Sequence, residues 1–317
     1  MDKKRIIVDA HCDTLKLALD MGQGLTSEKL QFNLRDVKRP HLQFMALYVN
    51  PKFNKLENGG YIRARNVLDK FVYEYEKHKD VLIQIKNKAD LQRFIYDNKI
   101  GVLLTIENGD ALNGDLSNIY KFYEKGVRVM SLTWNYDTAL ASGALSKTDM
   151  GITNLGKQCI RIMNEKDIII DISHLSYKGS KEVFSLTDKN IIATHSCVDK
   201  LHNHPRNLKD EQIKAIAKSG GVVGIAFANE FMTNKKYATS EDIVNNIDYI
   251  ANLVGIDYVG IGSDFDGLDE FEIPVDIQSV KNIDIIFKKL KCRGYRDEDI
   301  DKIAGANFIR VLKNNLK

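Results

Sequence analysis

Eight short apolar runs recur along the chain, at 5–11, 42–49, 101–107, 127–134, 167–174, 190–195, 221–227 and 257–264. Most are rich in Ile and Val, and their apolar residues follow one another instead of alternating with polar ones. Such a run suits a strand buried on both faces, as in a parallel sheet covered by helices. Between the runs, apolar residues recur at helical spacing over 61–79, 154–165, 178–186, 209–218 and 240–253. The connection from 50 to 101 is long enough for two helices. Segment 276–316 reads as two or three helices with a break at Gly294. Repeated strand–helix units predict an α/β architecture, and eight of them predict a closed (β/α)8 TIM-type barrel with extra C-terminal helices. An open doubly wound sheet is the alternative.

Composition adds exclusions. The chain has 317 residues, 44% of them hydrophobic, which is enough for one large core in a single domain spanning 1–317. Lys and Arg number 46 against 43 Asp and Glu, a net +3 spread along the chain without blocks. A nucleic-acid partner would need a basic face, so none is expected. The first residues lead into the apolar run 6–8, far short of the ~7–15 residues of a signal-peptide core. No window of ~18 apolar residues occurs, so no membrane association is expected. The four cysteines show no paired spacing and read as reduced thiols. A cytoplasmic location is the expectation.

The ends of the runs change the picture. Six of the eight finish in a residue able to bind a metal, move a proton or contact a ligand: His11 with Asp13, Glu107, Trp134 with Asn135, His174, His195 and Asp264. Active sites of such barrels sit at the C-terminal ends of the strands. Taken singly, each has a bland explanation. His11 and Asp13 share one face of a strand by alternation, yet a buried His bonded to a neighbouring Asp explains them equally. Glu107 closes an apolar run and needs a partner, which a Lys, an Arg or a helix N-terminus would supply as well as a metal. Together, three histidines and two carboxylates form a mixed N/O set suited to Zn²⁺ or a similar divalent ion. Five side chains exceed the three common at one catalytic zinc, so two ions sharing Glu107 use them economically. Asp264, in a glycine-rich turn, is placed to take a proton from an activated water, while Asp266 suits a turn aspartate. Arg206 can pair with a substrate carboxylate or form a surface salt bridge. His41 begins a strand and faces the wrong end. His78 sits in a charged helix, and His202 is not expected to bind metal. His204 lies closer to the site, and Cys12 alternates away from it.

Several segments resemble the membrane (renal-type) dipeptidases, peptidase family M19 of the amidohydrolase class. They are Val8-Asp-Ala-His-Cys-Asp-Thr-Leu15, Thr105-Ile-Glu-Asn-Gly109, Ile170-Asp-Ile-Ser-His-Leu175, Ala193-Thr-His-Ser196, Asn203-His-Pro-Arg-Asn207, Val259-Gly-Ile-Gly-Ser-Asp-Phe-Asp-Gly267 and Gly305-Ala-Asn-Phe-Ile-Arg310. They run in family order over nearly the whole chain. The resemblance implies a metallo-dependent hydrolase with two zinc ions, the first held by His11 and Asp13, the second by His174 and His195, with Glu107 bridging. It implies Asp264 as proton carrier, Arg206 on the substrate carboxylate, and dipeptide substrates, often with a D-residue on the C-terminal side. Some family members open β-lactams, and a homodimer is implied. The chain departs from the animal enzymes at Trp134, where they carry a substrate-binding histidine. An indole N–H can donate a hydrogen bond but cannot accept a proton. Phe231 stands near a family tyrosine, in a loose alignment.

The expected reaction is hydrolysis of a dipeptide by a hydroxide bridging two ions. A hydrolase for another small amide or lactone would use the same metal site. A metal-binding barrel without catalysis would be expected to lack Asp264 or a ligand, and none is lacking.

Overall fold

The computed structural model describes residues 5–38, 40–269 and 271–317; the sequence reading at Met1–Lys4 lies outside them. In chain order the strands are β1 (Ile7–Asp9), β2 (His41–Tyr48), β3 (Leu82–Gln84), β4 (Ile100–Glu107), β5 (Val127–Ser131), β6 (Ile169–Asp171), β7 (Ile191–Ser196), β8 (Val223–Ile225) and β9 (Val259–Ile261). All pair in parallel in the order β2-β1-β9-β8-β7-β6-β5-β4, and β4 pairs again with β2. The eight apolar runs are therefore the eight staves of a closed ring, and the open-sheet alternative is set aside. Strand β3 is an addition that the apolar pattern did not single out. It pairs with Ile100–Val102 at the start of β4, on the edge that β5 takes over at Leu104–Ile106.

The helices are α1 (Thr14–Asp20), α2 (Gly59–His78), α3 (Lys88–Asp97), α4 (Ser117–Glu124), α5 (Asn154–Glu165), α6 (Tyr177–Leu186), α7 (Asp210–Lys218), α8 (Asn229–Met232), α9 (Ser240–Val254), α10 (Asp284–Cys292), α11 (Asp297–Asp301) and α12 (Asn307–Asn315). The long connection after β2 holds two helices, as its length suggested, with β3 between them. Gly294 sits at φ +91° between α10 and α11, a backbone state that favours glycine and ends the helix there. A π turn at Lys302–Ala306 joins α11 to α12. Among the described residues no helix is long and apolar enough to cross a membrane.

Inside the ring, one buried cluster gathers Val8, Phe44, Leu103, Val129, Ile169 and Ile192 from six strands, together with Phe308 and Leu312 of α12. Residues of six adjacent staves can meet in one cluster only within the barrel. Phe308 packs edge-on to Phe44 with ring centroids 5.7 Å apart, so α12 helps close the barrel opposite its C-terminal rim. Gly305 permits this approach, since a Cβ there would lie 2.7 Å from the carbonyl oxygen of Ile6. The plug leaves the C-terminal rim as the open end.

Candidate metal centre

The rim side chains leave the backbone just beyond the strands. β1 stops at Asp9, β6 at Asp171 and β9 at Ile261, so His11, Asp13, His174 and Asp264 stand in the turns that follow. His174 and Asp264 have φ of +67° and +64°. Such a state costs a non-glycine residue of order 1 kcal/mol and persists where surrounding contacts over-determine it. Those contacts are visible. Asp171 accepts from the Ser173 and Thr194 N–H groups, each at 2.9 Å, and from the Thr194 hydroxyl at 2.6 Å. Asp9 does the same for the other side, accepting from Ser263 N–H at 2.7 Å and its hydroxyl at 2.6 Å. Ser176, two residues after His174, caps α6 by accepting from Gly179 N–H and so starts the helix at Tyr177.

The five expected ligands and Asp264 converge. Glu107 lies between two groups: its Oε2 is 3.2 Å from His11 Nε2, and its Oε1 is 2.8 Å from His174 Nε2 and 3.9 Å from His195 Nε2. His11 Nε2 is also 3.7 Å from both Asp13 Oδ2 and Asp264 Oδ1. Among the described residues, three sets have their ligand atoms within 4.8 Å of one another: His11 with Asp13 and Glu107, Glu107 with His174 and His195, and His11 with His195 and Asp264.

Hydrogen bonding fixes which ring nitrogens are bare. His174 Nδ1 lies 2.7 Å from the Asn135 side-chain oxygen and must donate to it. Thr194 spends its hydroxyl proton on Asp171, so His195 Nδ1, 2.9 Å away, donates to Thr194 Oγ1. Both Nε2 atoms then carry lone pairs, and they face each other at 2.8 Å. Such an arrangement calls for a cation. His11 Nε2, Asp13 Oδ1 and Glu107 Oε2 are buried without a hydrogen-bond partner. Gly267 keeps the space open, since a Cβ there would lie 2.5 Å from Asp264 Oδ1 and 2.6 Å from Asp13 Oδ2. Orphaned donor atoms, an N/O donor set and a cradle that one methyl group would obstruct all fit divalent ions.

Electrostatics agree with this. Burial pushes Glu107 up to about 7 and Asp264 up to about 6. Burial opposes a charge on His11, but the Glu107, Asp13 and Asp264 carboxylates outweigh it and hold its pKa well above the ordinary value. Burial, with the nearby Arg206 and His11 charges, keeps His174 and His195 neutral. By itself the cluster retains protons to offset its negative charge, and metal binding would release them.

A cavity of about 290 Å³ opens over the centre, with Asp13, Glu107, His174 and Asp264 on its floor. Trp134 lines it, with its ring 5.7 Å from that of Tyr48 and 6.1 Å from that of His174. Arg206 is stacked on the Phe231 ring at 5.3 Å; Phe231 lines this cavity, while Arg206 itself lines a second cavity of about 200 Å³. It is buried; Nη2 donates to the His195 carbonyl at 3.3 Å and Nε has no partner. Burial lowers its pKa to about 10, and no carboxylate lies within 4.0 Å of it among the described residues. Asp266 is a turn residue, accepting from Gln31 and Phe32 N–H groups and from the Thr14 hydroxyl. His41 bonds Gln43 at the far end of β2, His78 faces Glu74, and Cys12 is buried in the outer apolar cluster. His204 accepts from the Arg206 N–H, and so helps to set that loop.

Lys16, Tyr48 and Asn50 also line the cavity, and the run-end reading passed over them. Tyr48 ends β2, so the same rule would have found it. Lys16 follows Asp13 by three residues, one turn further on a helix.

The model of the membrane dipeptidase family, peptidase family M19, matches residues 1–316. An uncharacterized protein of Klebsiella pneumoniae is 33% identical over 71% of this chain and 86% of its own length. A dipeptidase of Aspergillus oryzae is 29% identical over 85% of this chain and 66% of its own. Among solved structures, a metallopeptidase of Rhodobacter sphaeroides, bound to a phosphinate mimic of the dipeptide L-Ala-D-Ala, superposes with a TM-score of 0.89. It is 22% identical and is covered over 100% of its length, against 98% of this chain. The probable dipeptidase PvdM of Pseudomonas aeruginosa also gives 0.89, at 20% identity over 98% of this chain and 95% of its own. At these identities the superpositions establish the fold.

Proposed function

The chain belongs to the membrane dipeptidase family, peptidase family M19, and from that premise we propose that it is a two-zinc enzyme hydrolysing dipeptides, L,D-dipeptides included. The observation that carries the metal reading is Glu107, whose two oxygens face two separate histidine groups across buried, unpartnered donor atoms. His11 and Asp13 would hold one ion, His174 and His195 the other, and Glu107 both. The L,D preference draws on the dipeptide mimic bound by the R. sphaeroides protein.

When bound, the two ions would supply Lewis acidity and a water of lowered pKa. The chain's own residues do the rest. Asp264 takes a proton on its carboxylate as the water attacks the peptide carbon, and returns it to the leaving nitrogen when the C–N bond breaks. Asn135 and Thr194 hold the His174 and His195 rings, each with its Nε2 lone pair toward the centre. Arg206 is a buried charge without a carboxylate partner, an arrangement that is costly unless an anion completes it. The substrate carboxylate is that anion. The Trp134 indole N–H, on the cavity wall, would donate to the developing oxyanion in place of a histidine. A single domain over 1–317, a homodimer in solution, is part of the proposal, and sedimentation checks the latter.

The test is metal analysis with a panel of L,L- and L,D-dipeptides. The expected result is two divalent ions per chain and turnover of at least one peptide class. A fully loaded protein that cleaves none of them is not a dipeptidase, and small amides and lactones become the next panel. Asp264→Asn should retain metal while kcat falls about 10²–10⁴-fold, the usual contribution of a positioned proton carrier.

A further inference from the structure

Lys16 is the only Lys or Arg among the described residues that lines the cavity over the metal centre. It stands on the first turn of α1 and shares the cavity wall with Tyr48 at the end of β2 and Asn50 just beyond it. Its recorded partner is weak. Lys16 Nζ is 3.5 Å from Asp20 Oδ2 on the same helix face, whereas Asp20 Oδ1 already receives Arg63 Nη2 at 2.6 Å. A part-exposed pair one helical turn apart contributes little, and Asp20 keeps a cation when Lys16 leaves it. The ammonium group is therefore free to turn toward a ligand.

Its place on the rim determines which part of a ligand it meets. Arg206 follows β7; Lys16 follows β1 on α1, which packs against β2, and β7 lies three strands from β1 and four from β2 around the eight-strand ring. Two extended residues span about 7 Å. A dipeptide anchored at Arg206 and laid over Glu107 thus directs its N-terminal residue toward β1 and β2. There the side chain meets an ammonium, a phenol and a carboxamide. The wall that Phe231 forms carries the opposite charge, Glu230 at the start of α8.

We propose that Lys16 selects dipeptides whose N-terminal residue carries an acidic side chain. This rests on the dipeptidase reading above and names its substrate class. The Lys16 ammonium donates charge-assisted hydrogen bonds to the side-chain carboxylate. A neutral amide of the same shape gains less, and a basic side chain is repelled.

The zinc-loaded protein is assayed on Glu-Ala, Gln-Ala, Lys-Ala and Ala-Ala, with L- and with D-alanine. Wild type is expected to favour Glu-Ala over Gln-Ala by about tenfold in kcat/KM, chiefly through KM, as one charge-assisted contact at a part-exposed site provides. That ratio should shrink as salt is raised. In Lys16→Met it should fall to about one, and in Lys16→Glu the preference for Glu-Ala over Lys-Ala should invert. Because each ratio is internal to one variant, a general loss of activity does not alter it. Turnover of Ala-Ala with equal use of Glu-Ala and Gln-Ala by wild type overturns the assignment of Lys16 and leaves the dipeptidase reading standing. A ratio unchanged in Lys16→Met, with all peptides slowed alike, also overturns it and makes Lys16 an anchor for the main-chain carboxylate. No turnover of any peptide overturns both readings.

Discussion

At Gly267 the missing side chain is part of the site. Its Cα faces the gap between Asp13 and Asp264, and a Cβ would press on both carboxylates at about the distance of a covalent neighbour's neighbour, 2.5 and 2.6 Å. Both contacts are to side-chain oxygens, which can swing away. Gly267→Ala should therefore fold, yet bind metal poorly on the Asp13 side. The expected outcome is a metal content near one ion per chain and a kcat/KM lowered by more than about 10²-fold, the scale at which small misplacements act. Full metal content with wild-type activity would refute the cradle. The five proposed ligands were legible in the sequence because each ends an apolar run. The left-handed turns at His174 and at Asp264 were not, since their positive φ comes from the hydrogen bonds of Asp171, Asp9 and their partners across the rim.

Among the elements, α12 and α2 serve different ends. Phe308 of α12 is buried in the cluster inside the ring. Phe308→Ala should cost about 3–5 kcal/mol in denaturant unfolding, as for large aromatic deletions in close-packed cores. A loss below 1 kcal/mol would mean that the plug is loose. Helix α2 is tied to the loop after α1 by Glu74, which accepts from Leu25 N–H at 3.0 Å and from Lys70 Nζ at 2.7 Å. Burial raises the Glu74 pKa, but these two bonds outweigh it and hold it below the ordinary value. A lowered folded pKa gives stability that is present above the unfolded value of about 4.3 and is lost as pH falls through the folded one. Glu74→Gln should thus flatten the fall in Tm below about pH 4.3; an unchanged acid limb would refute the link. The helical pattern revealed α2, whereas β3 escaped the strand reading because its apolar stretch, Val81–Ile85, is interrupted by Gln84 and lies inside the connection read as two helices.

For the whole molecule, the ring closes chiefly through the β2–β4 pairing over eight residues, of which only the last pair, Tyr48 with Glu107, reaches the metal centre, and through the interior cluster. Chelation should therefore leave the far-UV circular dichroism unchanged. It should also lower Tm by several degrees, since ligand at 100 times its Kd stabilises by about 2.7 kcal/mol and a chain of this size shifts a few degrees per kcal/mol. Unfolding on chelation would show that the ions hold the barrel together. The sequence by itself determined the barrel and the residues on its rim, because a buried parallel strand must be apolar and its polar end stands out against it. Tertiary structure alone decided which atoms meet. Closure of the ring brings Glu107 between histidines from β1, β6 and β7, and sets Lys16 across from Arg206. Those distances depend on strand order and turn geometry, which no local pattern contains.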